Sequence, residues 1–355
     1  MMTRILMKGN EAIGAAAIKA GCRYFFGYPI TPQNELPEFM SRELPKVDGV
    51  YVQAESEVAA INMVYGAAGT GARVMTSSSS PGIALKQEGI TYIAGAELPC
   101  VIVNISRGGP GLGGIQPSQA DYFQSTRGGG NGDYRLLVYA PASLQEAVDL
   151  VIEAFDAADY YRNPVMVIGD GMIGQMMEPV EFKESTNKRE LPPKDWATTG
   201  TKGKRQPNII NSLALEPESL EKHNIKLNKK YKEMEEKEVK YEMYKMEEAE
   251  LVMVAYGTTA RIAKNAIDAL EEEGIKVGLI RPITLWPFPY KAFKDIPATT
   301  KALLSVEMSM GQMIDDVKIA NEGRLPVEFY GRSGGMIPTP EAIAAKVKDI
   351  LGGGK

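Results

Sequence analysis

The sequence predicts an α/β protein with two sheet-bearing parts, and three observations predict it. Short apolar strands alternate with helical stretches up to about residue 180; a polar, charge-dense segment follows; a second alternation of strand and helix begins at Glu250. Alternation of this kind builds mainly parallel sheets covered by helices on both faces. A chain of 355 residues is long enough for two such cores.

In the first part, residues 10–20 read as a helix, 23–27 and 50–53 as short strands, and a further helix starts near Ser56. Strands follow at 73–76, 100–105, 135–140 and 164–168, with a strong helix over 143–158 before the last. In the second part, a strand at 251–256 leads through a turn into a helix at 260–273 and a strand at 277–281. The run Trp286-Pro287-Phe288-Pro289 breaks the pattern, and strands at 301–306 and 326–330 with a helix at 340–351 complete it. The expected division is therefore 1–182, a linker at 183–248 and 249–355. The linker carries the run Lys229-Lys230-Tyr231-Lys232-Glu233, and its alternating charges predict an exposed helix with a solvated face.

Composition narrows the function. A net charge of -5 lacks the clustered basic face that phosphate-rich partners select, so neither nucleic acid nor a membrane surface is expected as a partner. No apolar run approaches the ~20 residues that cross a bilayer, and the start of the chain has no signal-like stretch, so a cytoplasmic protein is expected. Two separated cysteines, Cys22 and Cys100, cannot supply the usual four ligands of an iron-sulfur cluster or structural zinc. With His223 as the one histidine, neither a Ser-His-Asp triad nor a multi-histidine metal site can be assembled.

Four constellations fall at expected strand ends. Gly27-Tyr28-Pro29-Ile30-Thr31-Pro32 is a turn stiffened by two prolines at the edge where open α/β sheets hold ligands; it also reads as a strand-to-helix turn capped by Thr31 or Asn34. Gln53-Ala54-Glu55-Ser56-Glu57 opens a helix of small residues, where the acids serve either as first-turn charges or as chemistry. The run Thr76-Ser77-Ser78-Ser79-Ser80-Pro81-Gly82 opens another helix; it is a capped turn or an anion site, and it lacks the lysine of a nucleotide-binding loop. Ser106-Arg107-Gly108-Gly109-Pro110-Gly111-Leu112-Gly113-Gly114, followed by Gln119-Ala120-Asp121, combines glycines that permit close backbone approach with an arginine able to grip a carboxylate.

Together and in this order, these motifs resemble the alpha subunit of 2-oxoacid:ferredoxin oxidoreductases, nearest the 3-methyl-2-oxobutanoate and 2-oxoglutarate types. The resemblance continues through Tyr256-Gly257-Thr258, Arg281-Pro282, Leu285 to Pro289 and Val306-Glu307-Met308, which look like the family's transketolase C-terminal-type domain. It implies a pyrimidine-type thiamine diphosphate-binding domain followed by that smaller α/β domain. Glu57 would be the activating carboxylate, with Glu55 the alternative register; Tyr28, Pro29, Ile30, Glu57 and Ser79 would contact the cofactor, and Thr31 and Arg107 the substrate carboxylate. A carboxylate on the pyrimidine ring nitrogen favours the imino form, which then removes the thiazolium C2 proton.

The resemblance also assigns what this chain lacks. Gly169-Asp170-Gly171 is similar to the start of the magnesium-diphosphate motif of thiamine enzymes, but no asparagine follows at the required spacing, Asn187 being too near and Asn208 too far. Magnesium and the diphosphate site would therefore lie on a beta subunit, and 4Fe-4S clusters on gamma or ferredoxin-like delta subunits. Coenzyme A would accept the acyl group, ferredoxin the electrons, and the assembly would be a hetero-oligomer with two copies of this chain. A 2-oxoglutarate enzyme would need a second cation for the distal carboxylate, for which Arg127 and Arg135 are the candidates. A non-catalytic scaffold, with Glu57 only a helix-end acid, is the rival from another class. A transketolase-type or lipoamide-linked enzyme would need histidines lining its channel.

Overall fold

The computed structural model describes residues 4–183 and 189–352. A seven-stranded sheet holds, in spatial order, Thr284–Trp286, Leu137–Tyr139, Pro164–Asp170, Cys100–Ser106, Val74–Ser78, Tyr24–Gly27 and Val50–Gln53. All neighbours pair in parallel except Thr284–Trp286, which runs antiparallel at one edge. The central strands Val74–Ser78, Cys100–Ser106 and Leu137–Tyr139 are buried along their whole length, as expected where helices cover both faces. The register pairs Ser106 with Asp170 and Ser78 with Asn104, so these strands end level with one another. The turns after Gly27, Gln53, Ser78 and Ser106 thus emerge on one edge, the carboxyl edge, where open α/β sheets bind ligands.

The second sheet runs Val327–Gly331, Ala302–Glu307, Leu251–Val254, Val277–Pro282 and Tyr241–Tyr244, parallel except for the last. Two strand placements, one in each sheet, were not foreseen. Tyr241–Tyr244, within the stretch read as linker, pairs with Val277–Pro282, and Thr284–Trp286, within the second part, completes the first sheet. Both are edge strands of three or four residues, too short to show a period. Ile5–Lys8 and Met177–Val180 form a further antiparallel pair, and Met313–Asn321 is an additional helix.

The linker helix Pro217–Lys237 corrects the expectation of an exposed helix. Leu227, Tyr231 and Met234, spaced four and three residues apart, form a buried stripe on the core of the first part. Tyr231 meets Trp286 edge-on at 6.2 Å between ring centroids, and Lys230 lies 3.6 Å from Glu97. High charge masked the stripe because only three positions carry it. Met234→Ala is therefore expected to destabilise the protein by roughly 2–4 kcal/mol, measured by denaturant titration, whereas an exposed helix would tolerate it.

The two sheets meet through Gln119. Its Nε2 donates to the Tyr256 carbonyl at 2.8 Å, its Oε1 accepts from Thr259 Oγ1 and Met308 N, and its backbone N–H donates to the Met308 carbonyl. Arg281 forks onto Glu146 with two bonds of 2.8 Å, and Tyr122 donates to Asp316 at 2.6 Å. Buried, fully used polar groups of this kind fix one relative placement of the two sheets.

Candidate functional site at the carboxyl edge

Ser56 is the N-cap of helix Glu57–Gly69, its Oγ accepting from Ala59 N at 3.1 Å. Glu57 is left free of capping; its side chain is buried and turned toward helix Ser80–Gly95. Glu55, two residues earlier, is exposed. The helix N-terminus favours an acid in its first turn, and burial adds a desolvation cost that an exposed first-turn acid would not bear.

Gly82 makes room for that acid. A Cβ at position 82 would lie 2.0 Å from Ser78 Oγ and 2.5 Å from Glu57 Oε1, contacts that no real structure sustains. Gly82→Ala is accordingly expected to displace Glu57 by about 1 Å and to reduce turnover of the assembled enzyme by roughly 100-fold. Circular dichroism should show the fold retained; undiminished turnover would show that the position of Glu57 is unimportant.

The serine run curls around the same spot. Ser79 is fully buried and occupies the N-cap position of helix Ser80–Gly95, yet its hydroxyl makes no capping bond. The hydroxyls of Ser78 and Ser79 are both without partners. Ser80 Oγ accepts from the Arg107 backbone N–H at 2.9 Å and pairs with Asp121 Oδ2 at 2.6 Å. Asn104 donates to the same carboxylate at 2.9 Å. Burial raises the pKa of Asp121, and the Ser80 and Asn104 hydrogen bonds act against that rise. Asp121 thus locks the serine turn to the arginine turn.

Arg107 reaches the proline turn. Its Nη1 donates to the Thr31 carbonyl at 2.9 Å and its Nη2 to the Leu112 carbonyl at 3.1 Å, while Nε is buried without a partner. The guanidinium is therefore buried against backbone carbonyls, and no carboxylate accepts from it in these bonds. A buried cation so arranged favours an anionic ligand. Tyr28, Pro29 and Thr31 are exposed and Ile30 half-buried, so the proline turn forms an open lip. Gln33 anchors that lip, its Oε1 accepting from Ser77 Oγ at 2.5 Å.

Glu57, Gly82, the serines, Arg107 and Thr31 thus form one connected region, linked by the Gly82 contact and the Ser80–Arg107 and Arg107–Thr31 hydrogen bonds. Asp170 serves a different purpose: it caps helix Gly171–Gln175 by accepting from Met172 N and Ile173 N. Asn34, expected as a cap, makes no side-chain capping bond. Arg127 is bonded to Asp316 at 3.0 Å, and Arg135 is exposed beside the linker helix. His223 bonds the Gly95 carbonyl at 2.7 Å. Cys22 and Cys100 are buried free thiols, both pushed up to about 12 by burial. Among the described residues, no three His, Cys, Asp or Glu side chains gather as a metal site would require, and no helix is long and apolar enough to cross a membrane.

Sequence reasoning missed Lys86. It is fully buried on helix Ser80–Gly95, donating to Thr76 Oγ1 at 2.6 Å and to the Ser77 carbonyl at 3.0 Å. Burial depresses its pKa to about 7, with the Glu57 charge acting against that fall. The available signal was its spacing of four residues from Gly82, which sets both on one helix face.

Residues 15–246 match the thiamine diphosphate-binding domain of pyruvate flavodoxin/ferredoxin oxidoreductases, and residues 249–343 match pyruvate:ferredoxin oxidoreductase core domain II. The chain belongs to the 2-oxoacid:ferredoxin oxidoreductase family. It is 49% identical over 351 residues to the ketoisovalerate oxidoreductase subunit VorB of Methanothermobacter marburgensis, covering 99% of each chain. It is 37% identical over 365 residues to the 2-oxoglutarate synthase subunit KorA of Methanocaldococcus jannaschii, covering 96% of this chain and 98% of that one. Among solved structures it is similar to the 2-oxoglutarate:ferredoxin oxidoreductase of Magnetococcus marinus, with a TM-score of 0.86 and 27% identity. That likeness covers 98% of this chain but 65% of the other, so the chain spans about two thirds of that neighbour.

The residues at the carboxyl edge fit the aminopyrimidine end of thiamine diphosphate, the cofactor of this oxidoreductase family. The Ser78 and Ser79 hydroxyls and the Arg107 Nε are buried without partners at this edge, and the space held open at Gly82 lies against both Ser78 Oγ and the buried Glu57 carboxylate. Bound there, the cofactor supplies an electron sink for decarboxylation of a 2-oxoacid.

Proposed function

We propose that this chain is the subunit that holds the aminopyrimidine in a cytoplasmic branched-chain 2-oxoacid:ferredoxin oxidoreductase. The enzyme would convert 3-methyl-2-oxobutanoate to the acyl-coenzyme A and carbon dioxide. The single observation supporting that substrate is the near full-length 49% identity to a ketoisovalerate oxidoreductase subunit. In this reading residues 1–182 form the pyrimidine-binding unit, 183–248 the connecting segment and 249–355 the transketolase C-terminal-like unit. Magnesium, the diphosphate contacts and the 4Fe-4S clusters belong to partner subunits, and ferredoxin takes the electrons.

Each residue has a defined task. Glu57 holds the proton-sharing hydrogen bond at the pyrimidine ring nitrogen, in a site dry enough to strengthen it. Arg107 binds the substrate carboxylate by charge-assisted bonds, with Thr31 on the opposite lip. Tyr28, Pro29, Ile30 and Ser79 contact the cofactor and exclude water.

The 2-oxoglutarate reading has its support in the KorA likeness. It requires a second free cation, and the two candidates are Arg127, engaged by Asp316, and Arg135, exposed beside the linker helix. The test is turnover of the reconstituted complex across pyruvate, 2-oxoglutarate and branched-chain 2-oxoacids. We expect kcat/KM for 3-methyl-2-oxobutanoate at least tenfold above that for 2-oxoglutarate; the reverse order overturns the assignment.

A further inference from the structure

Helices Glu57–Gly69 and Ser80–Gly95 touch where glycines remove the side chain that would separate them. Gly82 lies against Glu57, and Gly89 lies against Ile61, where an added Cβ would come within 2.4 Å of Ile61 Cγ2. Positions 82, 86 and 89 are one stripe of the second helix, and 57 and 61 one stripe of the first. Lys86 is therefore placed between the two contact points, on the face turned to the helix that carries Glu57.

Two further facts define what Lys86 is for. Its side chain is 0% exposed and ends on two neutral acceptors, the Thr76 hydroxyl and the Ser77 carbonyl. Thr76 in turn donates to the Phe26 carbonyl at 2.6 Å, one residue before the turn that bears Tyr28 to Pro32. The other titratable groups that act on it are Glu57, from the facing helix, and Cys100, from the strand beneath, whose thiol stays neutral because burial pushes it to about 12. A lysine used only to fill space would be better replaced by methionine, since an ammonium in an apolar interior carries a desolvation cost. That cost is offset where a carboxylate shares the same dry region, and the offset is mutual: each charge favours the ionised form of the other.

We propose that Lys86 is a positioning residue for Glu57, a buried ammonium fixed by Thr76 and Ser77 on the helix face turned to Glu57, whose charge favours a carboxylate beside Gly82. This rests on reading Glu57 as the carboxylate that engages the cofactor. Lys86 itself touches neither cofactor nor substrate; it sets the proton affinity of the group that does.

The experiment is an infrared pH titration of the assembled complex freed of cofactor. The protonated-carboxyl band that disappears in Glu57→Gln reports Glu57. In Lys86→Gln, which keeps a hydrogen-bond donor, and in Lys86→Met, the Glu57 midpoint should rise by at least one pH unit, a tenfold change in its ionisation. Lys86→Arg should leave it within half a unit of the parent. In the loaded enzyme, the acid limb of kcat should move to higher pH in the first two variants, with KM for the 2-oxoacid changed less than twofold. A Glu57 midpoint unmoved in a folded Lys86→Gln complex overturns the proposal. Should both neutral variants fail to assemble, Thr76→Val, which removes one anchor of the ammonium, must shift the midpoint in the same direction; no shift there is equally fatal. Full turnover by Glu57→Gln would instead overturn the catalytic reading of Glu57 while leaving the titration coupling measurable, so the two failures are distinct.

Discussion

In the assembled complex, Glu57→Gln is expected to lower substrate-dependent ferredoxin reduction by roughly 10²–10⁴-fold, the usual contribution of a positioned proton-transfer group. The amide is nearly the size of the carboxylate, so the contact with Gly82 and the packing between helices Glu57–Gly69 and Ser80–Gly95 persist. Thiamine diphosphate should still bind if, as proposed, a partner subunit holds its diphosphate. What fails is the favouring of the imino form, read directly as loss of deuterium exchange at C2 of the bound cofactor. Glu55→Gln should leave exchange near normal, since Glu55 is exposed where Glu57 is buried. An inactive Glu55→Gln beside an active Glu57→Gln would move the motif by two residues and with it the site.

Arg107→Met is expected to lower kcat/KM for the 2-oxoacid by roughly 30- to 700-fold, about 2–4 kcal/mol, the range for losing one partner of a buried charge-assisted pair. The loss should fall mainly on KM, because the carboxylate is present in ground state and transition state alike. Arg107→Lys should recover only part of it: a lysine restores the charge but not the planar fork that at present reaches Thr31 and Leu112 together. Without substrate, the methionine variant should melt no lower than the parent, since it removes a buried cation that no carboxylate balances in the hydrogen bonds described. Steady-state kinetics and a thermal melt decide both parts. A KM unchanged in Arg107→Met would mean the carboxylate binds elsewhere.

The sequence by itself determined the elements and their order. The alternation of apolar strands and helices located the main strands to within about two residues, because burial on both faces of a parallel sheet demands continuous apolar runs. Glu57, the serine run, Arg107 and the proline turn were legible because each follows a strand, and parallel strands must deliver their ends to one edge. The short edge strands Tyr241–Tyr244 and Thr284–Trp286 were not legible, since three or four residues carry no period and their pairing is long-range. The linker helix read as exposed because its three buried side chains are outnumbered by charges.

Only the tertiary structure chose between Glu55 and Glu57 as the buried acid, and it did so by burial rather than by motif. Along the chain the two acids flank the Ser56 cap; in the fold one faces solvent and the other faces Gly82. Lys86 belongs to the same class of information. Its charge suggests a surface, and its surroundings come from the strand end at Thr76 and Ser77 and from the facing helix, which Gly82 and Gly89 meet on either side of it. Which residue types can do chemistry is written locally, whereas the dielectric surroundings that tune them arise only when separate elements close around the site.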